Sequence, residues 1–104
     1  MTFGEALDEM KMGRKVQRAG WNGKGMWVAL TPGSTFPLEL AREGAAQHLA
    51  DEVRATQASP PGQLDTYTIT INPHLDMRAA DGSLVVGWLA SQTDMLAADW
   101  SVVP

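Results

Sequence analysis

Leu75-Asp76-Met77-Arg78-Ala79, then Asp81-Gly82, then Leu84-Val85-Val86-Gly87-Trp88 is a pair of apolar-rich runs on either side of an Asp-Gly step. Alternation with period two buries one face of an extended chain, and Asp-Gly between two such runs signals a hairpin, here expected with a type I′ turn. Thr66-Tyr67-Thr68-Ile69-Thr70-Ile71 alternates in the same way just before it. Consecutive antiparallel strands therefore decide the fold, and the remaining segments are placed around them.

Toward the C-terminus, Ser91 with Asp94 reads as a helix N-cap and its N3 carboxylate, and Trp100-Ser101-Val102-Val103 returns as a final strand. Toward the N-terminus, Thr2 and Glu5 form a capping box ahead of Phe3, Ala6, Leu7 and Met10, so a first helix runs from Thr2 to about Met12. Gly13 suits the left-handed position that ends it. Arg14 to Arg18 carries one inward Val16 among charges, the pattern of an edge strand. Gly20-Trp21-Asn22-Gly23-Lys24-Gly25 is a turn by composition, followed by a strand from Met26 to Leu30 that Thr31-Pro32-Gly33 closes.

Between these parts, Leu38, Ala41, Ala45, Leu49 and Val53 recur at steps of three and four, which predicts a second helix beginning near Pro37, with Gly44 placed to break it in two. Ala55 to Asp65, containing Ser59-Pro60-Pro61-Gly62, has no periodicity and reads as a linker. Helix-strand pairs at both ends of a meander make an α+β domain with a mostly antiparallel sheet and short N-terminal and C-terminal helices.

A chain of 104 residues holds one domain with a modest core. The absence of cysteine removes disulfides and thiolate metal or redox sites, which suits a reducing compartment. The N-terminus has neither a basic nor an apolar leader segment, and no run approaches the roughly 18 apolar residues of a membrane span, so a protein without membrane association is expected. A net charge of -4 argues against binding nucleic-acid polymers. Yet Lys11, Arg14, Lys15, Arg18 and Lys24 concentrate in the first 24 positions and leave room for a local anion site.

Catalytic signatures are missing. His48 and His74 stand far apart without flanking ligands at metal spacing, and both read as surface histidines, so no metal is expected. Asp94 and Asp99, five positions apart, do not share a helical face, and capping suits Asp94 better than acid-base work. No serine or threonine has a histidine base nearby in sequence. The Gly20 to Gly25 loop matches neither a Walker loop nor a dinucleotide fingerprint, and a tight strand connection explains it equally well. Trp100 alternates with Val102 as core, and Trp27 is out of phase with Met26, Val28 and Leu30, so one of those two strand faces is solvated or in an interface. Trp21 and Trp88 could stack on a base or pack in a core or interface; the residues leave both open.

Phe3-Gly4-Glu5-Ala6-Leu7, Gly20-Trp21-Asn22-Gly23-Lys24-Gly25-Met26, Asp81-Gly82 and Trp88-Leu89-Ala90-Ser91-Gln92-Thr93-Asp94-Met95-Leu96-Ala97-Ala98-Asp99-Trp100 stand in the order of a known family. Over about Met1 to Gly33 and Thr66 to Val103 the chain resembles the second type of phage Thoeris anti-defence sponges. The resemblance implies a non-enzymatic protein, without cofactor, acting in the cytoplasm of an infected bacterium. It would sequester the cyclic ADP-ribose isomer made by TIR-domain defence enzymes, undegraded, and such proteins form homotetramers. Some also hold cyclic dinucleotides of the CBASS system. Against compact members, residues 34–65 look like an insertion within a single sponge-like domain.

Carried onto this chain, the resemblance makes Trp21 and Trp88 stacking surfaces for adenine. Ser91, Gln92 and Asp94 would supply directional hydrogen bonds, with Asp94 directed at ribose hydroxyls. Asn22, the Gly23 backbone and Lys24 would face the diphosphate, with Arg18 as a second cation. The competing expectation is a structural or virion-associated oligomer with no nucleotide ligand.

Overall fold

The computed structural model describes residues 1–57 and 67–104, and within them three α-helices and seven strands, arranged as two compact units. The first unit is Met1–Pro32 with Pro73–Pro104, and the second is Gly33–Asn72. The class is α+β with antiparallel pairing throughout both sheets.

In the first unit, α1 (Phe3–Lys11) starts as its capping box dictates: the Glu5 N–H donates to Thr2 Oγ1 at 3.2 Å and the Thr2 N–H to Glu5 Oε1 at 2.9 Å. Gly13, at φ +88°, follows its end. A five-stranded sheet runs in the order β6-β5-β2-β1-β7, formed by β1 (Val16–Arg18), β2 (Trp27–Thr31), β5 (His74–Arg78), β6 (Leu84–Val86) and β7 (Trp100–Val102). Val16 pairs with Val28 and Val102, and Val28 with Met77, so these residues share one face. On that face α1 lays Ala6 and Met10 to close a core with Val16, Val28, Met77 and Trp100. Trp27 lies on the opposite face, half-buried, with Lys15 Nζ 5.4 Å from its ring centroid, which accounts for its phase.

Two sequence expectations change here and a third is met. The Arg14 to Arg18 segment is not an edge strand: β7 returns alongside β1 and covers it, while Arg14 and Lys15 stay outside the strand. The β5–β6 turn is not type I′, because Gly82 at φ +90° is left-handed and Asp81 is not. The Gly82 N–H donates to Ala79 O and the Ala79 N–H to Ser83 O, so the loop has three residues, a form that needs one left-handed position after an ordinary turn. Finally, a short helix α3 (Gln92–Leu96) does follow Ser91, whose Oγ accepts from the Asp94 N–H at 3.1 Å.

The second unit pairs β3 (Ser34–Pro37) with β4 (Thr68–Ile71) and packs α2 (Gly44–Gln57) against them. The helix expected from Pro37 therefore begins seven positions later. Ser34–Pro37 is taken by cross-strand pairing, Leu38–Leu40 forms one 3-10 turn, and Gly44 at φ +66° heads α2. Leu38 and Ala41 are still buried, with Ala50 and Ile69, so their spacing marked a core rather than a helix. Ala55 to Gln57, expected in the linker, complete α2. The rest of that linker and Thr66 lie outside the described residues. No described helix is long and apolar enough to cross a membrane.

Candidate functional site

Arg18 shares the phase of Val16 and therefore enters the core side of the sheet, where a cation needs neutralising partners. Two carboxylates provide them. Arg18 Nε donates to Asp99 Oδ1 at 2.8 Å, and Nη1 donates to Asp94 Oδ1 at 2.7 Å. Asp99 Oδ2 also accepts from the Gly20 N–H at 2.9 Å, which fastens the turn after β1 to the residue before β7. A Cβ on Gly20 would stand 2.9 Å from Arg18 Nη2 and 3.2 Å from Asp99 Oδ2, so a larger residue there would have to displace the paired guanidinium.

The charges respond accordingly. Hydrogen bonding from Arg18 holds the Asp99 carboxyl below its ordinary range, and burial, which alone would raise it, is outweighed. For Asp94 burial is the largest single influence and pushes upward, but Arg18, Ser91 and Trp21 together bring it below its ordinary value. Arg18 is raised, first by Asp99 and then by Asp94. At neutral pH the three groups form an ionised cluster.

Around this cluster three indoles meet edge to face. Ring centroids are 6.2 Å apart for Trp21–Trp88, 5.2 Å for Trp21–Trp100 and 6.4 Å for Trp88–Trp100. Asp94 links two of them: Trp21 Nε1 donates to its Oδ1 at 3.3 Å and Trp100 Nε1 to its carbonyl at 2.9 Å. Trp100 is buried core, as its alternation with Val102 requires, whereas Trp21 and Trp88 are half-buried. A base held between two rings needs parallel planes about 7 Å apart, twice a carbon contact distance. At an interplanar angle of 81°, Trp21 and Trp88 do not form such a clamp.

The structure thus brings Arg18, Trp21, Trp88 and Asp94 together from β1, the turn after it, the end of the hairpin and α3. Asn22, Gly23 and Lys24 continue directly from Trp21 as an exposed loop with Asn22 and Gly23 both left-handed, at φ 59° and 66°, and nothing stands within 4 Å of a Cβ built on Gly23. Ser91 and Gln92 are exposed at the start of α3. Arg18 differs from its neighbours in that both of its sides already meet carboxylates.

Asp99 escaped the sequence reading as a site residue, although an arginine in phase with a buried valine was a signal that a partner carboxylate must exist. A second cluster was missed altogether. Asp76 accepts from Thr31 Oγ1, from the Gly87 N–H at 2.9 Å and pairs with His74 Nδ1 at 2.8 Å, so His74 is not a bare surface histidine. Gly87, at φ +76°, immediately precedes Trp88, whose N–H donates to Leu75 O at 2.7 Å. This cluster fixes where the Trp88 ring leaves the sheet. Elsewhere, the second unit holds an apolar groove of about 250 Å³ lined by Ala45, Ala46, Leu49, Ile69, Thr70 and Ile71, which offers no charge for an anionic ligand.

The Thoeris anti-defense 2-like domain matches residues 1–103. The chain belongs to that family. It is also 30% identical over 103 residues to Thoeris anti-defense 2 of Bacillus phage SP01, a match that spans 99% of this chain and 94% of the relative. Membership in the Thoeris anti-defense 2-like family places the chain among phage anti-defence proteins.

Proposed function

We propose that this Thoeris anti-defense 2-like protein is a sponge that binds a cyclic nucleotide immune signal and withholds it intact. The ligand in this reading is the glycocyclic ADP-ribose isomer made by TIR-domain enzymes, with CBASS cyclic dinucleotides as a second class, and the chain works as a homotetramer in the cytoplasm of the infected host. The observation that carries it is the convergence of Trp21, Trp88 and Asp94 beside the exposed Asn22-Gly23-Lys24 loop in a chain matched by the family over its whole length. Trp21 and Trp88 each present an outer face to adenine, a contact worth about 1 to 3 kcal/mol per base. Lys24 and the left-handed backbone at Asn22 and Gly23 receive the diphosphate, and Ser91, Gln92 and Asp94 receive hydroxyls. Arg18 serves chiefly to hold Asp94 and Asp99, and meets an anion only by giving up one of them.

Silencing a signal present below micromolar level requires nanomolar affinity, about -12 kcal/mol. Sequestration and turnover differ in what is recovered. The purified protein is mixed with the cyclic ADP-ribose isomer, and separately with cyclic dinucleotides, freed of excess ligand, denatured by heat, and the released nucleotide is weighed by mass spectrometry. Intact ligand in stoichiometric amount supports the sponge. Linear product means an enzyme, and no co-purified nucleotide of either class means a structural role; either result overturns the proposal.

A further inference from the structure

We infer that the β6 edge of the five-stranded sheet pairs with the β6 edge of a second copy of this chain, in the antiparallel register that sets Val85 opposite the partner's Val85. The idea rests on the proposed assembly and assigns one of its contacts. Among the described strands β6 ends the sheet, with β5 on one side and no strand on the other. The Ala79 N–H donates to Ser83 O across the hairpin, and main-chain groups alternate sides along a strand. Those of Val85 therefore turn toward its pair Met77, while those of Leu84 and Val86 turn away from the sheet.

Open edges are ordinarily guarded by charge, proline or a bulge. The three residues of β6 carry none of these, and Leu84, Val85 and Val86 are 61%, 44% and 70% exposed. From Gly82 to Thr93 the sequence contains no Asp, Glu, Lys or Arg, so two copies of net charge -4 repel least along this stretch. A second copy suits the edge better than an unrelated strand because the register is self-complementary. With a two-fold axis at Val85, Leu84 meets the partner's Val86, and every outward N–H and C=O of those two residues gains a partner. Three residues bury much less than the roughly 800 Å² per partner of a stable interface. The edge therefore sets register within a larger contact, to which Leu89, 91% exposed in the same uncharged stretch, adds apolar area.

The chain has no cysteine, which makes a register test clean. In this pairing Val85 occupies the close, non-hydrogen-bonded position, with Cα atoms about 4.5 Å apart, within reach of a disulfide. Mild oxidation of Val85→Cys should give a covalent dimer on a non-reducing gel, whereas Leu84→Cys, which is not opposite itself, should stay largely unlinked. Light scattering of the unsubstituted protein gives the assembly state, and Val86→Lys should lower that mass with little change in melting temperature. An oligomeric wild type whose mass survives Val86→Lys and whose Val85→Cys form does not cross-link would refute the β6 contact and leave the assembly standing. A wild type monomeric at every concentration would refute both.

Discussion

Arg18 shows how one side chain determines a site's chemistry. Its guanidinium occupies the core side of β1, and two carboxylates from sequence positions 76 and 81 residues away neutralise it. Because Asp94 and Asp99 are both held below the ordinary carboxylate range, the folded state takes up protons at lower pH than the unfolded chain does. Their contribution to stability is therefore complete above that range and disappears as pH falls from about 4 through the folded-state values. An Arg18→Gln variant should melt several degrees below wild type at pH 7 and should show a flatter loss of stability between about pH 4 and 2. Thermal melts across that range check it; parallel acid limbs for the two proteins would show that the cluster is not what titrates. The need for a partner was legible in the phase Arg18 shares with Val16. Which carboxylates answered it was not, because the contact is set by where β7 and α3 return, and no local spacing encodes that.

Elements were legible where one local rule was sufficient. The capping box of α1 and the alternation of β5 and β6 each specify their own geometry within a few residues. Readings failed where tertiary pairing overrode the local pattern: β1 looks like an edge until β7 covers it, and Ser34–Pro37 joins a helical-looking run until β4 claims it. The hairpin turn failed differently, since Asp-Gly fits a two-residue loop as well as the end of a three-residue one. The observed form puts the whole left-handed requirement on Gly82. Gly82→Ala should thus destabilise the first unit by about 1 kcal/mol or slightly more, a fall of roughly 4 to 8 °C in melting temperature for a domain near this size. Asp81→Asn, at a position with no positive φ, should cost less. For α1, Thr2→Ala should cost about 1 kcal/mol, because the Glu5 N–H loses its acceptor. Calorimetry on the three variants ranks them, and Asp81→Asn proving worse than Gly82→Ala would contradict the turn assignment.

For the molecule as a whole, the proposed site residues divide between a fixed floor and an open rim. Trp100, Arg18 and the Asp76 cluster hold the floor, and Trp88→Ala should weaken binding of the cyclic ADP-ribose isomer by about 1 to 3 kcal/mol, measured by calorimetric titration. Lys24→Ala should cost about tenfold and also flatten the salt dependence of affinity, because it removes an exposed cation from the loop, whereas the Arg78 guanidinium at the loop's far end already donates to Gly25 O. Asn22, Lys24, Ser91 and Gln92 are all exposed in one copy of the chain, so a nucleotide resting on them would keep much of its surface in water. Nanomolar binding on such an open rim is hard to reconcile with the cost of immobilising a charged ligand, unless a second copy covers it and excludes solvent. Affinity should therefore depend on assembly. Diluting the protein until light scattering reports single chains, or separating them with Val86→Lys, which lies outside the site, should weaken ligand binding at least about 100-fold while circular dichroism shows the separated chain still folded. Equal affinity in separated and assembled chains would mean that a single copy closes its own site, and the rim would then have to fold over the ligand on binding.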